Sequence, residues 1–496
     1  MTPPPPPLRR TRLGIPVTYQ FSVRYLLHTG LLQRLGEAVQ PVVLLSWSDD
    51  ELRAQLEAAG AEVRPLPDGQ MGGLYLRHRR VLDLMFQQLL DSPTTAIDWR
   101  RKDNVYPART RLRRRARRAV ESLPGHLPGG PDRMLARDAR LLVIDTDVAA
   151  VERDLATLDL DAVLSVTPYH RREELLLRAA ARRGLPLVAS IISFDNPTSR
   201  PWIPVTFDRY LVWNRRNRQE LVRAYPAVSP DRVGVTGAPQ FDFYANPRWR
   251  WSEQQWRTVL GLAEDRPVIL FGGGPSVHVP NEPSFLAQID DAIELGEVPG
   301  RPVVVFRRHP MEPQSTWEST LARCRHVVSD EPWPVRTGAV ETSSAGVADI
   351  ERLVSTLAHS AVHVSTASTM TVDGASFDRP QVGPAYDDTP GRAHHRQVSD
   401  MYRREHWLPI AASGGMAVAE DRDAMIRAIR RGFTHPGEGA EGRRRLLTEV
   451  ISFTDGRATE RVAAGVCDAL GLPTPRSGSP GAPHPSDVAD AGPPPR

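Results

Sequence analysis

The feature that most restricts how this chain can fold is an alternation of short apolar runs with amphipathic stretches, sustained from Gly14 to Leu470. Gly14–Phe21 and Val39–Trp47 read as strands. Ser22–Gly36 between them reads as a helix that keeps Leu26, Leu27, Leu31, Leu32 and Leu35 apolar, and Asp49–Gly60 as the next helix. After a loop at Ser122–Asp132 the rhythm resumes with strand Leu141–Ile144, helix Ala149–Leu158, strand Ala162–Val166, helix Arg171–Arg183 closed by Gly184, and strands Leu187–Ile192 and Tyr210–Trp213. Strands that alternate with helices in this way pair in parallel and are wrapped by those helices, so an α/β fold is expected.

With 496 residues, 40% of them hydrophobic, the chain can bury two cores. The expected organisation is a disordered leader at 1–12, a first domain at 13–246 with a basic insertion at 99–132, a second domain at 250–470, and a Pro/Gly/Ser tail at 471–496. Asn246–Ser252 is the expected linker, with Ser252 opening a helix that ends near Gly261. No run of eighteen apolar residues occurs, and MTPPPPPLRRTR lacks the apolar core of a signal peptide, so neither export nor a membrane span is expected. Two cysteines, Cys324 and Cys467, provide neither a disulfide framework nor a zinc cluster and suit a cytoplasmic protein. Arginine-rich usage with 46 prolines points to a GC-rich genome.

Lys+Arg of 63 against Asp+Glu of 59 leaves a formal charge of +4, too small to argue for nucleic acid as a partner. The charge is concentrated in Trp99–Arg118, WRRKDNVYPARTRLRRRARR, where Asp103 is the single acid. Arg113, Arg114 and Arg115 in that run suit anionic lipid head groups or a lipid-linked pyrophosphate, each cation contributing on the order of 1 kcal/mol. A solvated arginine helix is the competing reading, and nucleic acid a third, with Trp99 and Tyr106 to stack on bases.

The residues that suggest chemistry stand where strands end. In the second half, Pro267–Phe271 runs into Gly272-Gly273-Gly274, where Gly273 and Gly274 would expose backbone amides to a phosphate. This is neither a Walker loop nor a dinucleotide fingerprint. Arg301–Phe306 delivers Arg307-Arg308-His309-Pro310, with Arg308 and His309 suited to neutralise a departing nucleotide. Ala348–Val382 holds a helix, the strand Ala361–Val364, and the turn Ser365, Thr366, Ser368, Thr369, where hydroxyls and helix-start amides would meet a phosphate. Asp373, one turn beyond Thr369, could accept from a ribose diol, although capping alone accounts for the Ser/Thr residues equally well. In the first half, Asp195 in SFDNPTSRP is open to two readings, a general base or an Asx-type turn before Pro197. Asp242 in RVGVTGAPQFDFY is either a second candidate base or a helix cap. Arg24 and His28 follow the first strand and are either acceptor-facing or ordinary surface residues. His394 and His395 are adjacent and do not form a usual metal pair, and His406–Ile410 reads as the last short strand.

These elements, taken together, resemble GT-B glycosyltransferases, and most closely the CDP-glycerol glycerophosphotransferase and surface (capsule) polysaccharide transferase group. The likeness is carried by SFDNPTSRP with the strand YLVW, by VGVTGAPQFD, by RRHP, by the Ser/Thr turn with Asp373 closing on Pro380-Gln381-Val382, and by Asp455-Gly456-Arg457-Ala458. The resemblance implies two Rossmann-like domains facing across a cleft. It implies a donor activated by CDP, UDP or CMP and held by the second domain through Gly273, Gly274, Arg308, His309, Ser368, Thr369 and Asp373. The first domain would take a polysaccharide or lipid-linked acceptor and supply the base, Asp195 first and Asp242 second, with the final helix packing back onto it. Such enzymes use no metal and no other cofactor, and no DxD stands at a strand end. Asp373 occupies a position where many relatives carry glutamate, and the full motif set of a teichoic-acid glycerophosphate polymerase is missing, which leaves the donor open. A UDP-N-acetylglucosamine 2-epimerase-like enzyme and a non-catalytic nucleotide- or nucleic-acid-binding protein are the alternatives.

Overall fold

The structure, a computed structural model, describes residues 9–263, 266–331, 346–388 and 397–475. The expected disorder of residues 1–8 and of the tail from 476, and the His394-His395 loop, lie outside the described residues. The leader is shorter than expected, because Arg9 already hydrogen bonds Asp161 at 2.8 Å and the first strand begins at Arg12.

The chain divides into two compact units. The first comprises the residues up to Leu90, Arg118–Gln240 and a return segment from Arg457; the second comprises Asp91–Arg117 and Phe241–Gly456.

The first unit is built on β1 (Arg12–Val17), β2 (Gln40–Leu45), β3 (Glu62–Pro65), β4 (Ala162–Ser165), β5 (Leu187–Ser190), β6 (Arg209–Val212) and β7 (Val233–Val235). They form one sheet in the order β3-β2-β1-β4-β5-β6-β7, with every pair parallel. Successive residues of β2 enter opposite cores: Val43 and Leu45 join Leu13, Ile15 and Val17 on one face, while Val42 and Leu44 join Leu175 and Leu176 on the other. A sheet apolar on both faces must be covered twice, which is why its strands are continuous apolar runs. The return helix Ala458–Ala469 adds Val462, Ala463 and Val466 to the first of these cores and ties Glu460 to Arg34 at 3.0 Å.

Three expectations for this half are corrected. Leu141–Ile144 is no strand but the last turn of helix Gly130–Ile144; Leu141 and Leu142 are buried and Val143 and Ile144 exposed, which is helical rather than alternating burial. Ser122–Asp132 is largely helical, since Ala108–His126 runs through Pro124 and the next helix starts at Gly130. The expected helix Ser22–Gly36 is split into Gln20–Val23, a π-helical turn Arg24–His28 and Leu31–Ala38, because Gly30 turns left-handed at φ 76°.

The second unit holds β8 (Val268–Gly272), β9 (Val303–Arg307), β10 (Val327–Ser329), β11 (Val362–Ser365), β12 (Gln381–Pro384) and β13 (Met416–Ala419). Their order is β10-β9-β8-β11-β12-β13, again all parallel. Helix Glu253–Leu260 follows its sequence signals: Ser252 accepts the Gln255 N–H at 3.2 Å and Gly261 closes it at φ 66°. The expected last strand at His406–Ile410 is corrected to a turn and the helix Leu408–Ala412, with Pro409 in its first turn, and the sixth strand is Met416–Ala419. No helix among the described residues is long and apolar enough to cross a membrane.

Candidate functional site

Both sheets share the doubly wound order, in which the winding reverses at one point and leaves a crevice beyond the strand ends. In the second unit that point lies between β8 and β11, whose last residues, Gly272 and Ser365, are register partners. On the other side of β8, β9 pairs through Gly272↔Arg307. Three motifs far apart in sequence, the glycine run, Arg307–His309 and Ser365–Thr369, therefore leave one edge of one sheet side by side.

The glycine run does not present free amides. Gly273 N–H donates to the Arg307 carbonyl at 2.9 Å, Gly274 N–H to the Glu282 carboxyl, and Ser276 N–H to Glu312 Oε2 at 2.8 Å. The missing side chains accommodate protein groups: a Cβ on Gly272 would meet Met370 Sδ at 2.5 Å, and one on Gly273 would meet Trp317 at 3.0 Å and Phe306 at 3.1 Å.

His309 is half-buried, and its Nδ1 accepts the Met311 N–H at 3.1 Å, which assigns the proton of the neutral ring to Nε2. Burial, with Arg308 nearby, holds its pKa below the ordinary histidine value, so the neutral form prevails near neutrality. Arg307 is buried against Asp330 at 2.6 Å. Arg308 reaches Glu331 at 2.8 Å and the Glu312 carbonyl.

In the hydroxyl turn, Ser365 and Thr371 bond through their hydroxyls at 3.1 Å, and Ser368 Oγ accepts the Met370 N–H at 3.3 Å. Thr369 is exposed at the start of helix Met370–Ala375, which spans only six residues. Ala367 is held at φ 44°, a left-handed conformation uncommon for alanine, and its N–H donates to Tyr402 Oη at 3.2 Å. Asp373 accepts from Tyr244 Oη at 2.9 Å.

Sequence reasoning missed Glu282, Glu312, Tyr402 and Tyr244, because isolated polar residues inside apolar patterns carry no local signal. It also missed where the basic run goes. Helix Pro93–Asn104 belongs to the second unit, and there Arg101 donates to the His278 carbonyl and, at 3.2 Å, to that of Gln397. Arg100 pairs with Asp400 and Asp98 with Arg404, both at 2.6 Å. Burial and the nearby Arg404 and Arg101 push the His278 pKa down to about 4. Further along, Arg114 and Arg115 flank the buried Asp103 at 3.2 and 3.7 Å, while Arg113 is exposed.

In the first unit, Asp195 stands at the start of helix Asn196–Ser199. It accepts from Ser193 Oγ at 2.5 Å and Asn196 Nδ2 at 3.3 Å with one oxygen, and from Ser199 Oγ at 2.7 Å with the other. All three partners are side chains of the same turn; the carboxylate makes no helix-cap hydrogen bond, and Pro197, two residues on, has no N–H for an Asx turn. Asp242 is buried in the first turn of Asp242–Ala245 and clusters with the second unit. Arg24 lies, half-buried, in the π-helical turn. At the first sheet's own reversal, between β1 and β4, buried Glu173 accepts from Thr18 at 2.8 Å, from Ser165 at 2.5 Å and from Thr167. Burial raises its pKa to about 7 despite those donors.

Two parallel, doubly wound units with polar strand-end loops at the reversal of the second define a GT-B-type α/β protein. A family model for CDP-Glycerol:Poly(glycerophosphate) glycerophosphotransferase matches residues 198–468, more than half of the chain. The chain belongs to that transferase family. A search of the curated proteins finds no match. Among solved structures, it is similar to S. aureus MnaA bound to UDP (TM-score 0.54, 12% identity, 94% of this chain and 99% of the other). It is also similar to a putative UDP-N-acetylglucosamine 2-epimerase from Listeria monocytogenes (0.53, 11%, 93% and 97%) and to the UDP-GlcNAc 2-epimerase from Neisseria meningitidis bound to UDP-GlcNAc (0.51, 11%, 92% and 99%). At such identities the likeness is one of fold.

Proposed function

We propose that this protein moves a polyol phosphate, glycerophosphate in the first instance, from a CDP-activated donor to a hydroxyl of a cell-surface polymer or lipid-linked acceptor. The observation that supports the reading is strand order: β9, which leads into His309, and β11, which leads into Ser368 and Thr369, flank β8 and end level with Gly272. In the reaction the acceptor oxygen bonds to the phosphorus that carries the polyol. The bond from that phosphorus to the bridging oxygen breaks, and CMP leaves with the electron pair. His309 Nε2–H is suited to meet the charge that develops on the leaving phosphate, and a neutral ring does so without proton transfer. Asp373 is proposed for the ribose. Asp195 is proposed as the base, which requires the acceptor hydroxyl to displace one of the hydroxyls that now donate to it; Asp242 is the second candidate.

Contact with an anionic membrane belongs to the same proposal. Along helix Ala108–His126, Leu112, Val120 and Leu123 share one face and are 70%, 65% and 56% exposed, bordered by Arg113 and Arg115. An apolar stripe edged by cations is the pattern of a helix that lies in a lipid interface.

The test is incubation with CDP-glycerol, UDP-GlcNAc and CMP, following the melting temperature and the products. Stabilisation by CDP-glycerol with CMP release supports the reading. Conversion of UDP-GlcNAc to its 2-epimer, or no stabilisation by any nucleotide, overturns it.

A further inference from the structure

We propose that Glu282 is a positioning residue for the donor, holding the Thr366 hydroxyl so that its proton points at a donor phosphate oxygen. The inference rests on the donor reading above. Glu282 opens helix Glu282–Glu294, is 1% exposed, and accepts the Gly274 N–H, which fixes it to the loop after β8. The Thr366 hydroxyl and backbone amide approach the same carboxyl from the turn after β11. That proximity follows from the pairing of Gly272 with Ser365, the residue before Thr366. Glu282 Oε1 and Thr366 Oγ1 are both buried, and apart from each other neither has a hydrogen-bond partner among the described residues. A hydroxyl both donates and accepts, so a Thr366 hydroxyl whose one partner is Glu282 keeps a second bond to make, and buried polar atoms ordinarily make theirs; beside the proposed donor site a ligand phosphate would complete it.

The protonation of Glu282 decides which way the Thr366 hydroxyl turns. Burial pushes the carboxyl up to about 8, with Glu312 adding like charge and the Gly274 and Thr366 donors opposing. The titratable groups that face it are Glu312, from the turn after β9, and Tyr402, which lies against the Ala367 amide. As an acid, Glu282 donates to Thr366 Oγ1 and leaves the Thr366 proton for a phosphate oxygen. As a carboxylate it takes that proton itself and sets a negative charge beside the donor anion.

The test is CDP-glycerol affinity by titration calorimetry on the full chain between pH 6.5 and 9.5, where the diphosphate itself no longer titrates. In the unmodified protein Kd rises roughly tenfold per pH unit above about 8, the slope of one proton taken up on binding. Glu282→Gln, which donates to Thr366 without titrating, binds as well as the unmodified protein near pH 7 and loses that slope. Glu282→Ala binds more weakly at every pH. Thr366→Val provides an independent arm if the Glu282 variants fail to fold: it weakens binding near pH 7. A slope that persists in Glu282→Gln, or binding near pH 7 as tight in Thr366→Val as in the unmodified protein, overturns the inference while leaving the donor reading intact. If the unmodified protein binds no CDP-glycerol, the donor reading falls and this one with it.

Discussion

Gly272 and Ser365 face each other as the last register partners of β8 and β11. The pairing sets a loop fastened by Glu282 and Glu312 against the hydroxyl turn that holds Thr366, Ser368 and Thr369. Pairing at this point is a property of strand order alone.

Replacing His309 by alanine removes one donor aimed at the leaving group. We expect kcat to fall about 10²- to 10³-fold, as for loss of a single charge-stabilising donor, with the melting temperature of the ligand-free protein unchanged. A variant that melts early and keeps kcat would mark His309 as structural.

Arg307 and Asp330, both buried and 2.6 Å apart, are expected to act on stability rather than on turnover. Removing Arg307 leaves the buried Asp330 carboxylate with the longer Arg352 contact at 3.4 Å, so Arg307→Ala should cost about 1–3 kcal/mol in a urea titration.

Stability should peak in mildly acidic solution. Glu282 and Glu173, with folded pKa values of about 8 and about 7, bind a proton in the folded state that the unfolded chain has released, so stability falls as pH rises from about 4.5 through those values. His278 and His363, held down to about 4 and about 3 by burial, stay neutral while the unfolded chain takes up protons, so stability falls as pH drops below about 6.5. Melting temperatures from pH 4 to 9 test this, and Glu173→Gln should flatten the alkaline limb for the first unit. An unchanged limb in that variant would mean that Glu173 is ionised in the fold.

Gly442 is packed against backbone: a Cβ there would lie 2.2 Å from the Gly414 carbonyl carbon and 2.4 Å from the Gly415 nitrogen. Because backbone has no rotamer through which to yield, Gly442→Ala should cost about 1–3 kcal/mol and lower the melting temperature by several degrees. Full retention of stability would show that helix Ala440–Ile451 can shift outward.

The arginine helix should bind phosphatidylglycerol vesicles and release them in high salt. At roughly 1 kcal/mol per cation, Arg113→Glu with Arg115→Glu should lower the vesicle partition coefficient by more than tenfold, and Leu112→Asp should lower it at any salt concentration. Vesicle binding unaffected by all three substitutions would place the lipid contact elsewhere, or nowhere.

Much was legible in the residue order, for identifiable reasons. Strand Val268–Gly272 and helix Glu253–Leu260 announce themselves because their signals are local: an apolar run stopped by glycine, and a serine and a glycine at the two ends of one amphipathic stretch. Leu141–Ile144 misled because four apolar residues in a row fit a strand and a helix end equally well. The glycine run misled differently. Its glycines yield space, as their composition suggests, but to Met370, Trp317 and Phe306, side chains far along the chain.

The amino-acid order by itself determined two doubly wound α/β units and the places where polar residues leave the ends of strands, since periodicity and turn chemistry act over a few residues. Only the tertiary structure decided that the Arg307 carbonyl and Glu282 occupy the amides of Gly273 and Gly274, that helix Pro93–Asn104 joins the second unit, and that Asp195 is already bonded within its own turn. Those outcomes depend on which strand lies beside which, and on burial that makes each polar atom find a partner across the chain. Such satisfaction is a property of the packed interior, and no short window of sequence contains it.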